Sequence, residues 1–227
     1  MAFALLALFL AALLYGPSLW VRYAMARHDE TIEDMPGTGG ELAEHLVQRF
    51  NLADVVVEET QANNDHFDPA AKAVRLSPRV FREKSLTALA VAAHEVGHAI
   101  QFDREEPLSR LRSRWIPPAL TLRKFGILVL SSVPLIAALL KAPPLIVAVV
   151  SLGLTLQLLG ALMYLIVLPE EWDASFNKAL PMLKDGYLPA HHEAAVRQVL
   201  TAAAMTYFAG ALADLLNVAR WLVILRR

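Results

Sequence analysis

Residues 142–169 read APPLIVAVVSLGLTLQLLGALMYLIVLP, 28 positions in a row without a charge. About 20 apolar residues cross the roughly 30 Å hydrocarbon core of a bilayer, so this run is long enough for a membrane helix and it sets the class of the fold. Residues 1–21, MAFALLALFLAALLYGPSLWV, are also uncharged, and so is Phe125–Leu140. The stretch Val199–Leu225 is apolar but includes Asp214, Asn217 and Arg220. Pro143 and Pro144 separate the second stretch from the third. The pattern therefore predicts a mainly α membrane protein with about four transmembrane helices. The first is read as uncleaved, because a secretory signal places basic residues before its apolar run, whereas here Arg22 and Arg27 follow it.

Composition excludes several classes. The chain is 56% hydrophobic and 19% charged, more apolar than an ordinary soluble domain. A formal net charge of −1 offers no field for nucleic acid, which is not expected as a partner. With no cysteine, disulfides, thiolate metal sites and cysteine nucleophiles are ruled out. Basic residues flanking membrane segments tend to stay in the cytoplasm. Arg22 and Arg27 follow the first segment, and Arg110, Arg112, Arg114, Arg123 and Lys124 precede the second, against Lys141 alone in the next loop. Residues 22–120 are thus expected on the cytoplasmic side of the cell (inner) membrane. Trp20, Trp115 and Trp172 fall at predicted interfaces. The lipid bilayer is the first expected partner; oligomeric state is left open.

The polar part between the first two segments reads as a small α+β unit. Glu41–Phe50 has Leu42, Leu46 and Val47 on one helical face. Val55–Val57 reads as a strand, Asn63–Asp65 as a turn, and Ala73–Leu76 as a returning strand. Ser85–Gln101 is an Ala- and Leu-rich helix.

That helix carries His94-Glu95-Val96-Gly97-His98. Residues four apart share a helix face, so the two imidazoles can ligate one zinc at about 2.0–2.1 Å. Glu95 is placed to take a proton from a water activated by the metal, the H-E-x-x-H logic of metallopeptidases. Two histidines and a carboxylate in an otherwise apolar helix are costly without a partner, which favours this reading over packed histidines without metal. A catalytic zinc needs a third protein ligand. Candidates are His191, His192, Glu193, Glu170, Glu171 and Asp173. Two crossings bring residue 170 back to the side of the motif. Adjacent helical residues point about 100° apart, so one of Glu170 and Glu171 faces the metal. Glu171 shares its face with Ser175, and Glu170 shares one with Asp173.

Four stretches, DHFDP at Asp65–Pro69, AVRLSPRVF at Ala73–Phe81, VAAHEVGHAIQ at Val91–Gln101 and EWDAS at Glu171–Ser175, resemble the YugP-like family of membrane zinc metallopeptidases. The resemblance runs over nearly the whole chain. Trp172 stands where the family favours Phe, and Phe67 where it favours Tyr, so no polar role falls to Phe67. The resemblance implies a zincin-like catalytic region with one Zn²⁺ per chain held by His94, His98 and Glu171. It also implies Glu95 as the catalytic base and a protein or peptide as substrate. His66, Ser175 and Asp173 become candidates for substrate contact or for supporting the ligands.

The expected organisation is a transmembrane helix over 1–21 and a catalytic region over 22–118. A transmembrane hairpin over 119–168 and a cytoplasmic helical segment over 169–198 follow, then a C-terminal transmembrane or interfacial helix over 199–227. Two other readings use the same residues. In an intramembrane site-2-type protease the motif helix would itself span the bilayer, although Arg82, Glu83 and Lys84 before it and Asp103 and Arg104 after it bracket it closely. In a membrane scaffold without activity, His66 or Asp173 would close a structural zinc site with a fourth ligand.

Overall fold

The structure, a computed structural model, describes residues 2–140 and 142–212. Lys141 and the C-terminal part of the fourth apolar stretch, with Asp214, Asn217, Arg220, Trp221, Arg226 and Arg227, lie outside the described residues.

Helix α1 spans Ala2–Arg27. Helix α2, Gly39–Arg49, begins with a reciprocal cap. The Thr38 hydroxyl accepts from the Glu41 amide at 3.2 Å, and the Glu41 carboxylate accepts from the Thr38 amide at 2.7 Å, satisfying two donors that a helix start otherwise exposes. Strands β1 (Val56–Glu59), β2 (His66–Asp68) and β3 (Ala73–Leu76) follow, then helix α3, Pro78–Arg82.

The sheet has the order β1-β3-β2, with β1 parallel and β2 antiparallel to β3. The expectation of two strands is therefore corrected to three. β2 has three residues, too few for alternation to show in sequence, and it begins directly after the residues read as a turn. The Asp68 carboxylate caps the β2–β3 turn by accepting from the amides of Ala70 and Ala71 at 2.9 and 3.2 Å, a local competition with regular structure that Asp favours. Ala73–Leu76 is the central strand, and β2 is an edge.

Helix α4, Leu86–Asp103, carries the motif. Ser85 caps it, its hydroxyl accepting from the Ala88 amide at 3.0 Å. Every residue from Leu86 to Gln101 is buried. A helix apolar all round is either a core helix or a membrane span, and here the covering is protein. Leu89, Val96 and Ile100 belong to one apolar cluster with Leu42 and Leu46 of α2, Phe67 of β2 and Val74 of β3.

Helices α5 (Pro107–Leu140) and α6 (Pro143–Leu165) come next, then α7, Leu168–Trp172. A π-helical turn over Asp173–Ala179 runs into α8, Leu180–Lys184. After a short 3₁₀ turn at Ala190–His192, α9 spans Glu193–Ala204. Val199 and Leu200, the first residues of the fourth apolar stretch, are fully buried in the α4 cluster. A turn at Met205 separates α9 from the helical residues 206–212.

The chain forms two compact units. One comprises Leu19–Arg110 and Leu168–Thr206 and holds the motif; the other draws on the chain before Leu19, between Arg110 and Leu168, and after Thr206. In the second unit α5 and α6 approach closely at small residues. A Cβ at Gly153 would lie 2.7 Å from Leu130 Cγ, and one at Gly126 would lie 3.0 Å from the Gly153 carbonyl oxygen, the close backbone approach that glycine permits between packed helices. Among the described residues, two helical runs are long and apolar enough to cross a membrane, Pro107–Leu140 and Pro143–Lys184, with mean hydropathies of 1.7 and 2.3 in their most apolar windows. Those windows are only 17% and 28% buried, and Leu128, Leu135, Leu139, Val147 and Leu162 are exposed on them. Apolar surface on that scale marks a region that meets a partner or a membrane.

Candidate metal centre

The motif residues meet Glu171 inside the first unit. His94 and His98 sit one turn apart on α4, with Nε2 atoms 3.2 Å from each other. Glu171 Oε2 lies 3.3 Å from His94 Nε2 and 3.2 Å from His98 Nε2. All three side chains are buried. Among the described residues this is the group of His, Asp and Glu side chains able to hold a metal ion.

The donor set fits zinc on two counts. Two donors at 2.0–2.1 Å from a tetrahedral ion stand about 3.3 Å apart, which is the spacing seen. The second count is protonation. His98 Nδ1 lies 2.9 Å from the Gln101 side-chain oxygen, an acceptor. His94 Nδ1 lies 3.0 Å from Ser175 Oγ, whose own hydroxyl is directed to the Leu200 carbonyl at 3.1 Å. With both Nδ1 atoms as donors, both Nε2 atoms carry lone pairs. Those lone pairs and the Glu171 carboxylate converge in a buried space. One proton can bridge only two of the three atoms; a cation between them answers all three.

Local sequence explains how the pieces arrive. The π-helical turn begins two residues after Glu171, and such turns often occur at functional sites. Ser175, inside this turn, reaches His94, and Asp173, at its start and three residues after Glu170, reaches Gln101 Nε2 at 2.8 Å. Gly97 makes the approach possible. A Cβ there would lie 2.9 Å from the Ala174 carbonyl oxygen and 3.4 Å from Ala174 Cα, so α4 and the π-helical turn touch backbone to side-chain-free backbone.

Glu95 is buried and points to the sheet. Its Oε2 accepts from the Phe67 amide at 2.9 Å. Phe67 faces Val74 across the β2–β3 pair, so an amide that reaches Glu95 is one turned outward from the ladder. Asp65 fixes that edge, accepting from the Ser77 amide at 2.6 Å and from the Ser77 hydroxyl at 3.0 Å. Burial pushes the Asp65 carboxyl above the usual carboxylate range, the two Ser77 contacts pull it back in part, and the Glu95 charge adds to the rise.

The other candidates are placed elsewhere. Glu170 is buried but outside the three-donor group; its carbonyl accepts from Gln101 Nε2 at 3.1 Å. His66 is half-buried on β2, with Nδ1 2.7 Å from the Asn64 carbonyl. Asp173 bonds Gln101, Asn177 and Lys178. Neither joins the group as a fourth donor. His191 and His192 pack against each other with ring centres 4.0 Å apart, and Glu193 pairs with Lys184 and Arg197 at 3.0 and 2.9 Å. Sequence reasoning missed three contributors. Gln101 lay within the quoted motif stretch, three residues after His98, a spacing that puts it on the same face. The Phe67 amide and the Asp65–Ser77 clamp carry no side-chain signature that spacing could reveal.

Fold and site together define a class: a helical protein with a small three-stranded sheet, two helices suited to a membrane, and a buried His-Glu-x-x-His plus Glu cluster that could hold a metal ion. The model of the family described as "Putative neutral zinc metallopeptidase" matches residues 3–226, and the chain belongs to that family. It is also similar to "Putative membrane protease YugP" of Bacillus subtilis (strain 168), with 31% identity over 228 residues, 97% of this chain and 96% of that protein. No solved structure matches the chain significantly.

Proposed function

We propose that this protein is a membrane-embedded zinc-dependent endopeptidase with His94, His98 and Glu171 as metal ligands and Glu95 as general base. The observation that carries the reading is the convergence of two imidazole Nε2 atoms and one carboxylate oxygen at 3.2–3.3 Å from one another in a buried space. Zinc, when bound, supplies a Lewis acid and brings the pKa of water at its open position toward neutrality. Glu95 Oε2 is held by the Phe67 amide, which leaves Oε1 to take a proton from the attacking water and hand it to the leaving amine. The apolar surroundings of α4 exclude bulk water from that carboxylate. The edge position of β2 is compatible with an extended peptide substrate paired by its backbone.

Two observations favour this over its rivals. The motif helix is buried in protein from Leu86 to Gln101, unlike a motif that itself spans a bilayer. Among the described residues three side chains, not four, form the metal-holding group, the number that leaves a catalytic position open. The test is cleavage of quenched fluorescent peptides by the purified protein in lipid vesicles. Activity is expected to vanish with a zinc chelator and to return on adding zinc. Activity indifferent to the chelator would remove the metal from the mechanism.

We further place the first membrane segment at 1–21, the hairpin at 119–168, a crossing or interfacial helix at 199–227, and the catalytic parts, 22–118 and 169–198, in the cytoplasm. The absence of native cysteine makes labelling direct. Single cysteines near positions 60 and 185 are expected to react only from the cytoplasmic face. Reaction from opposite faces would separate Glu171 from the motif.

A further inference from the structure

His98 is held from behind by a buried polar chain that has no need to be there for packing alone. Gln101 is fully buried. Its amide nitrogen donates to the Asp173 carboxylate at 2.8 Å and to the Glu170 carbonyl at 3.1 Å. Both N–H groups are thereby committed to oxygens that can only accept. The amide cannot turn over without facing oxygen to oxygen twice, so its oxygen must point the other way, to His98 Nδ1 at 2.9 Å.

Asp173 is itself anchored. Its other oxygen accepts from Asn177 at 2.7 Å, and Lys178 bridges it to Glu106 with contacts of 2.5 and 2.9 Å. Three donors, from Gln101, Asn177 and Lys178, point at its two oxygens, so Asp173 is the acceptor in this chain of contacts.

We propose that Gln101, locked by Asp173, is the positioning residue that keeps the His98 proton on Nδ1 and turns Nε2 toward His94 and Glu171. The inference rests on the metal-centre reading and adds residues to it that do not touch the ion. Partners behind a ligating imidazole commonly fix its tautomer and ring orientation, and their loss costs about 10–100-fold in metal affinity. A bond relayed through an amide carries a direction that a simple carbonyl acceptor would supply by itself; here the direction is set by a side chain from another element, the π-helical turn that follows Glu171.

The experiment compares zinc affinity, by competition with a chromophoric chelator, in wild type, Gln101→Met, Asp173→Ala and His98→Ala, with the visible ligand-field spectrum of each cobalt-substituted protein as a second readout. Gln101→Met conserves length and removes both ends of the relay. It is expected to weaken zinc about 10–100-fold and to shift and broaden the cobalt bands, with the melting of the metal-free protein close to wild type. Asp173→Ala leaves Gln101 one anchor and is expected to weaken zinc by a smaller factor with the same spectral change; it carries the test if Gln101→Met does not fold. Wild-type affinity and spectrum in the folded variants, with His98→Ala losing zinc, would overturn the positioning role alone. Wild-type affinity in His98→Ala would overturn the metal centre and this inference with it.

Discussion

Glu95→Gln is expected to keep zinc at wild-type stoichiometry while peptide cleavage falls by on the order of 10²–10⁴-fold, the range a positioned general base contributes. The amide retains an oxygen for the Phe67 N–H that now meets Glu95 Oε2 at 2.9 Å, so the fold of β2 against α4 should persist. What it lacks is the ability to accept a proton at the remaining atom. Parallel measurement of zinc content and turnover on the same preparation separates this from a loss of metal. Near wild-type cleavage would show that Glu95 is not the base, and loss of zinc would show that it is a ligand.

The second large effect concerns the neighbouring carboxylates. Glu171 Oε2 stands 3.2 and 3.3 Å from the two Nε2 atoms, whereas Glu170 meets Gln101 through its backbone carbonyl. Glu171→Ala is expected to weaken zinc by more than the ~10–100-fold that follows loss of a supporting contact, because it removes a donor outright. Glu170→Ala is expected to leave zinc content largely intact. Isothermal titration of both variants checks this. The reverse result would make Glu170 the ligand and require a different rotation of α7.

Much of the site was legible because it rests on helical spacing. His94 and His98 stand four residues apart on one helix face, with Glu95 beside the first of them, and Glu171 with Ser175 is paired by the same spacing. The uncharged run at 142–169 likewise announced α6 by length alone, whereas α2 starts at Gly39, two residues before the expected Glu41, because Thr38 caps it. The sheet was read less well. β2 is too short to alternate, and its position beside β3 depends on Asp65 gripping Ser77 twelve residues later, a contact that no periodicity encodes. The parallel pairing of β1 with β3 is equally a tertiary fact. Asp173 lies on the face it shares with Glu170, and both meet Gln101, Glu170 through its carbonyl and Asp173 through its carboxylate; no spacing rule names Gln101 as their common partner. Val199 and Leu200, where the fourth apolar stretch begins, are buried in the α4 cluster; apolar composition is common to a core helix and a membrane span, so burial there could not be read from sequence.

His94 and His98 are proposed to hold a metal ion, and the roles of Glu95, Glu171 and Gln101 depend on it. Zinc content by mass spectrometry is its most direct measure, in protein purified without added metal and compared with a His94→Ala/His98→Ala variant of matched folding. One zinc per chain in wild type and none in the double variant is the expected result; equal zinc in both, or none in wild type after reloading, would contradict it.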